Sequence, residues 1–377
     1  MTRLYRRSPH LVTFWDGDNG VLYNYATARQ APSSTAAWRV LDFCAEWRSA
    51  AEVSTALGLD GHAARVRPLL DALVSASFLD SSTQRRDPRE TAMEKWAPWN
   101  PSAGFFHTAS RQCVVGEQAW FDQRLETKAA QRPMPAPVKP PMAVRVSLPQ
   151  PATSGPVGRA VLERRTYRQF GKRPIALAQL AELLWLTSGI THWLTVPGLG
   201  EVALKGSPSG GARHPIETYL IATGVKGLPR GTYRYAPDRH ELDRVARATT
   251  RAARRTLLPR QPWFADCAAV VFFTAVFERT SWRYEYPRAY RAVLLEAGHM
   301  CQTFLLAATS LGLAPFCTMA MDDARVERHL RIDGIAEAVL YTAGVGSRPA
   351  IDDDIRAVPP PGGRRPKVRP NAMPCRS

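Results

Sequence analysis

At 377 residues, 45% hydrophobic and 9% aromatic, the chain is too long for one ordinary domain, comfortable for two, and globular rather than disordered. Fifty Lys and Arg against 33 Asp and Glu leave a net charge of +17. That balance often means nucleic acid or an anionic surface. Here Arg is spread along the chain with no helix-turn-helix, zinc-finger or aromatic-basic module, so nucleic acid is not expected, and the charge reads as solvated surface that in part steers an acidic peptide or a cofactor phosphate.

From the N-terminus, Leu11–Trp15 and Val21–Tyr25 read as two strands joined by the Asp16–Gly20 turn. Helical stretches follow over Thr35–Trp47, Ser49–Leu57 (with Ser49 as N-cap) and His62–Ser77, and Phe78-Leu79-Asp80 reads as a further strand. Strands, three helices and a wing suggest a winged helix over residues 1–90. The third helix carries only Arg65 and Arg67 near its start, a poor surface for DNA. A plain packing domain or a dimer arm is the alternative.

Residues 91–156 form a connecting segment. Its aromatic passage from Trp96 to His107 is expected to pack on the next domain, and its proline-dense end, 131–156, to be extended linker. A second domain then runs over 157–357, before a basic, Pro-rich tail at 358–377. It opens on Arg164-Arg165-Thr166-Tyr167-Arg168, closely spaced guanidinium groups that repel unless an anion compensates them, a phosphate being the economical choice. Ser207-Pro208-Ser209-Gly210-Gly211-Ala212-Arg213-His214-Pro215 demands a tight turn and close approach to another group.

Cys267–Phe277 is the longest apolar run, too short for a bilayer and suited to a central strand. From Tyr290 to Leu313, apolar residues at helical spacing cover so broad a surface that a helix buried nearly all round is expected. Glu296, His299 and Gln302 lie on it at i, i+3 and i+6, and Gly312 is placed to end it. Six cysteines without a Cys-x-x-Cys pair signal neither a metal site nor a redox dithiol. No Gly-x-Gly-x-x-Gly or Walker loop occurs. Met1–Trp15 lacks an apolar signal core, which argues for the cytoplasm.

In order, the Arg-Arg-Thr-x-Arg-x-Phe start, the Pro-Ser-Gly-Gly-Ala-Arg-His-Pro loop, Gly231-Thr232-Tyr233-Arg234-Tyr235, Glu296-Ala297-Gly298-His299 to Gln302, Leu311-Gly312-Leu313 and Gly344-Val345-Gly346 span about 190 residues. This set resembles the FMN-dependent nitroreductase fold, and more closely its SagB-type branch, which includes the azoline oxidases of ribosomal-peptide natural products. The resemblance implies an α+β fold, with a central antiparallel or mixed sheet flanked by helices, and a homodimer whose flavin sites use both subunits. It implies a peptide or peptide-like substrate, with a partner biosynthetic enzyme alongside. The N-terminal unit resembles the peptide-binding elements related to PqqD.

By the same resemblance, Arg164, Arg165, Thr166 and Arg168 hold the FMN phosphate together with Arg348, while Pro208, Ser209, Gly210 and Gly211 lie along the ring. Met319, Ala320 and Met321 approach it from the other side. Azoline oxidases carry Lys-Tyr where this chain has Arg283-Tyr284. Tyr284 is the candidate base, tuned by Arg283, because Arg itself cannot release a proton; simple packing of Trp282 and Tyr284 at a dimer seam is the alternative. His299 is a further catalytic candidate, or else a hydrogen-bonded core histidine. Beside peptide oxidation stand two other functions, an NAD(P)H-dependent nitro or quinone reductase and a degenerate flavin fold acting as scaffold.

Overall fold

The computed structural model describes residues 2–59, 62–111, 155–197, 200–247, 249–259 and 261–350, with short pieces between 123 and 131. Most of the proline-dense 131–156 stretch and all of the 358–377 tail lie outside the described residues.

The N-terminal unit contains β1 (Leu4–Arg7), β2 (Leu11–Asp16), β3 (Asn19–Asn24), β4 (Arg29–Pro32), α1 (Thr35–Phe43), β5 (Arg48–Ser49), α2 (Ala50–Ala56), α3 (Ala63–Ser75) and β6 (Leu79–Ser81). The β2–β3 turn uses Gly17 at φ +58°, and β4 adds a third antiparallel strand. Ser49 and Glu52 form a reciprocal capping box at the start of α2, satisfying two N–H groups that a helix start otherwise leaves without partners. α1 ends four residues earlier than its pattern predicts, because the chain must leave the helix to pair Arg48 with Tyr5. β6 returns to pair with β1, so Tyr5, Leu22, Val40, Val53, Leu70 and Phe78 close a core of their own.

Next come α4 (Pro88–Met93) and α5 (Ser102–Ser110). The aromatic passage between and within them is bolted to the second domain. Trp96 Nε1 donates to the Ile335 carbonyl at 3.0 Å, Trp99 Nε1 to the Tyr284 carbonyl at 2.8 Å, and the buried His107 ring lies between Tyr290 Oη and the Gly334 carbonyl.

The second domain runs α6 (Pro156–Glu163), β7 (Ile175–Ala176), α7 (Leu177–Ser188), β8 (Ile190–Val196), β9 (Gly200–Lys205), β10 (Ile216–Ala222), β11 (Val225–Lys226), β12 (Gly231–Ala236), β13 (Glu241–Arg247), α8 (Arg251–Arg255), β14 (Ala269–Val276), α9 (Glu278–Ser281), α10 (Ala289–Ser310), β15 (Leu313–Thr318), α11 (Asp323–Leu330) and β16 (Glu337–Ser347). Six strands form one antiparallel sheet in the order β13-β12-β10-β14-β16-β15. As the apolar run predicts, β14 lies inside the sheet, buried from Ala269 to Ala275. α7 and α10 cover one face through Leu180, Leu184, Val293, Phe304 and Ala308, and α11 covers the other with Leu257, Phe264, Val326 and Leu330.

α10 ends before Gly312, whose φ of +71° suits a residue without Cβ. It is not buried nearly all round. Leu294, Leu295, His299 and Gln302 form an exposed stripe, with Leu295 63% exposed. Apolar periodicity records hydrophobicity, and it cannot tell a core face from an apolar face left open for a partner.

Candidate active site

The glycine loop fits tightly against two other elements. Gly211 has φ +60°, and a Cβ there would lie 2.7 Å from Arg283 Cδ and Tyr284 Oη, so both conformation and space demand glycine. Gly210 N donates to Glu296 Oε1 at 2.8 Å. Ser209 accepts from the His214 amide at 2.8 Å, closing the loop on itself. The loop therefore brings Ser209, Gly210 and Gly211 together with Arg283, Tyr284 and Glu296, three segments far apart in sequence. Replacing Gly211 by Ala is expected to cost about 1–3 kcal/mol through the left-handed backbone, plus the displacement of Tyr284; thermal unfolding checks it, and an unchanged Tm would show that the loop does not hold this conformation.

Tyr284 is half-buried, its backbone carbonyl fixed by Trp99 and its ring 5.7 Å from the Arg283 guanidinium carbon. Glu296 is buried, and burial raises its carboxyl above the usual range, against the pull of the Gly210 N–H. His214 Nε2 donates to the Ala203 carbonyl at 2.9 Å. Burial, and next the Lys205 ammonium, push this imidazole down to about 4, so it is neutral at pH 7.

His299 lies one turn along the helix from Glu296, near enough for its charge to act on that carboxylate. It is exposed and its ring makes no hydrogen bond among the described residues, which corrects the expectation of a buried helix histidine. Glu296, one turn earlier on the helix, is the member of that trio that grips the glycine loop. Its sequence signal was a carboxylate on an otherwise apolar face.

The phosphate candidates gather at another edge. Tyr167 N donates to the Pro315 carbonyl, and Gly171 N to the Ser347 carbonyl, which ties the 164–171 segment to β15 and the end of β16. Arg165 turns back onto the carbonyls of Leu162 and Arg164. Arg168 lies over the Trp263 ring at 5.5 Å. Arg348 caps the far end of α10, donating to the carbonyls of Thr309 and Leu313. The Arg164 guanidinium makes no hydrogen bond or ion pair among the described residues, which leaves it available to an anion. Thr166 lies between these arginines.

Met319 is 71% exposed and Ala320 half-buried beside it, whereas Met321 sits in the core, its sulfur accepting from Thr342. Met321 therefore does not reach a ligand, unlike the expectation. Glu296 and Thr309 are about 20 Å apart along the axis of α10, so the glycine-loop cluster and Arg348 mark two separated stations of one chain.

The nitroreductase family model matches residues 161–347, the stretch that carries the sheet, α10, the glycine-loop cluster and the arginines from 164 to 168. The nitroreductase-family protein MJ1384 of Methanocaldococcus jannaschii is 31% identical over 172 residues, which cover 46% of this chain and 82% of that protein. The chain belongs to the nitroreductase family. Its α+β architecture is that of the family, as the sequence resemblance implies.

Two further relatives are processing proteins by name. The trifolitoxin-processing protein TfxB of Rhizobium leguminosarum bv. trifolii is 33% identical over 171 residues, 44% of this chain and 46% of TfxB. The microcin B17-processing protein McbC of Escherichia coli is 30% identical over 157 residues, 39% of this chain and 54% of McbC. The matched part spans about half the length of each of these two relatives. This nitroreductase-family chain is thus related to the trifolitoxin- and microcin B17-processing proteins as well as to MJ1384.

Proposed function

We propose that this chain is an FMN-dependent oxidoreductase that removes hydride and proton from a peptide or peptide-like natural-product intermediate, in the manner of azoline-to-azole oxidation or a related C–N or C–C desaturation. The observation that carries this reading is the glycine loop packed against Arg283-Tyr284 and Glu296, in a chain related to the trifolitoxin- and microcin B17-processing proteins. FMN fits what is present. Ser209 and Gly210 offer small polar edges for a ring, and Arg164, unpaired among the described residues, offers a phosphate its charge. Bound there, FMN would accept the hydride.

The residues of the chain divide the rest. Tyr284 stands where a proton leaves the substrate, with the Arg283 guanidinium beside its ring. Arg164 and Thr166, with Arg168 and Arg348 behind them, hold the phosphate. Met319 and Ala320 border the ring, and Glu296 keeps the glycine loop in place.

A homodimer is part of the proposal. α6 packs on α10, and Val157, Val161 and Leu162 on the one and Leu294 and Leu295 on the other are exposed apolar residues that a second copy would cover, bringing the glycine-loop cluster of one chain toward the arginines of the other. The 1–90 unit is proposed to recognise the peptide, with a partner enzyme supplying the modified substrate in the cytoplasm.

Anaerobic mixing of the FMN-loaded full chain with a synthetic azoline-containing peptide tests the reading. Bleaching of the flavin by the peptide supports it. Bleaching by NADPH with no response to the peptide would instead favour the nitro or quinone reductase activity suggested by the similarity to MJ1384, and no bleaching by either would leave a scaffold. Deleting residues 2–89 is expected to raise KM for a long substrate while short azoline peptides still turn over. A truncated chain that loses FMN and unfolds would show that the unit is structural.

A further inference from the structure

Behind the glycine loop lies a cavity of about 440 Å³, roofed by the β8–β9 hairpin and floored by β10 and β12. Ala212, Arg213 and His214 belong to its wall, so the cavity and the Tyr284 cluster share one loop. Four fixed cations face it, Lys205, Arg213, Arg234 and Arg279, against three carboxylates, Glu201, Glu217 and Asp238. The excess is one positive charge.

Where that charge resides follows from the pairing. Arg279 donates to Glu217 at 2.5 Å and to the His214 carbonyl at 3.0 Å. Arg234 donates to Asp243 at 2.8 Å, Asp238 pairs with Arg239 at 3.0 Å, and Glu201 accepts from the Thr195 hydroxyl. Arg213 donates to the Arg279 carbonyl at 3.1 Å and lies over the Trp282 ring at 4.9 Å. Lys205, half-buried at the end of β9, has no hydrogen bond or ion pair among the described residues. Burial pushes the Lys205 ammonium down against the pull of the nearby Glu217 carboxylate, and an anion in the cavity offsets the remaining cost.

A single net charge suits a monoanion. A phosphate dianion would carry a second charge past Glu201 and Glu217 with nothing to neutralise it. Trp193, 57% exposed on the roof, adds an apolar surface beside the charge. We propose that this cavity binds one carboxylate of the peptide substrate, paired with Lys205, while the adjacent residue reaches round the glycine loop toward Tyr284. This rests on the peptide-oxidation reading, and it names the substrate class more closely: a peptide with a carboxylate, from its C-terminus or an acidic side chain, near the reacting residue.

Binding to the full chain, followed by titration calorimetry, tests this without turnover. The probes are acetyl-Leu-Gly with a free carboxylate, its C-terminal amide, acetyl-Glu-Gly amide, and inorganic phosphate. At least one carboxylate probe is expected to bind about tenfold or more tightly than acetyl-Leu-Gly amide, the worth of one charge-assisted hydrogen bond. Lys205→Met should abolish the difference and Lys205→Arg retain it. Preference for acetyl-Leu-Gly identifies a C-terminus, and preference for acetyl-Glu-Gly amide an acidic side chain.

Equal binding of carboxylate and amide probes by the wild-type chain, or an undiminished difference in a folded Lys205→Met chain, overturns the proposal, as does Lys205-dependent binding of phosphate alone. The wild-type comparison holds even if the Met variant fails to fold. Lys205-dependent carboxylate binding in a protein whose flavin ignores azoline peptides would overturn the peptide-oxidation reading and not the carboxylate site.

Discussion

Tyr284→Phe is expected to slow substrate-dependent flavin reduction by about 10²–10⁴-fold, the usual loss when a general base is removed. The flavin spectrum and its affinity should stay nearly intact. The reason is local: Trp99 holds the Tyr284 backbone carbonyl, and Gly210 lies against the ring and Gly211 against the hydroxyl, so Phe can take the same place without the oxygen. Arg283 supplies the companion test. Arg283→Lys keeps a cation beside the ring and should retain activity, whereas Arg283→Met should lose it. Single-turnover reduction at the full wild-type rate in Tyr284→Phe would remove Tyr284 from the chemistry and turn attention to His214 and His299.

Arg164→Ala is expected to weaken FMN binding by about 1.5–3 kcal/mol with little change in Tm, because its guanidinium is engaged with no other group among the described residues. Arg348→Ala should behave differently. Its guanidinium caps the carbonyls of Thr309 and Leu313, so its loss should lower Tm as well as FMN affinity. Flavin titration beside thermal unfolding separates the two, and an Arg164→Ala chain with wild-type FMN affinity would show that the phosphate lies elsewhere.

Much of the second domain was legible because its signals are local or ordered. The β-branched and aromatic run around β14, the Gly312 stop after α10, and the spacing from the Arg cluster to Gly344-Val345-Gly346 each depend on neighbours in sequence. The sequence overstates the burial of α10 because Leu294 belongs to an apolar stripe beside that of Val293 and Phe304 yet is exposed, as is its neighbour Leu295. His299 inherited that error.

The role of Glu296 is not legible in sequence, since its partner, the Gly210 amide, lies 86 residues away and a backbone donor leaves no trace in residue type. The same holds for Arg165 and Arg348, whose guanidinium groups find carbonyls. Cys301 and Cys317, far apart in sequence with no Cys-x-x-Cys pattern, lie close enough to share a proton, Cys317 being pulled down to about 6 chiefly by the Cys301 thiol and Cys301 pushed up. Motif spacing reports only contacts within a turn or a loop, and a helix–strand contact of this kind escapes it.

The most direct test of the central claim is the visible absorption spectrum of the purified full chain, with the released chromophore identified by mass spectrometry. The account predicts a yellow protein that releases FMN rather than FAD and bleaches anaerobically with an azoline-containing peptide. A colourless protein that takes up no added FMN would contradict it.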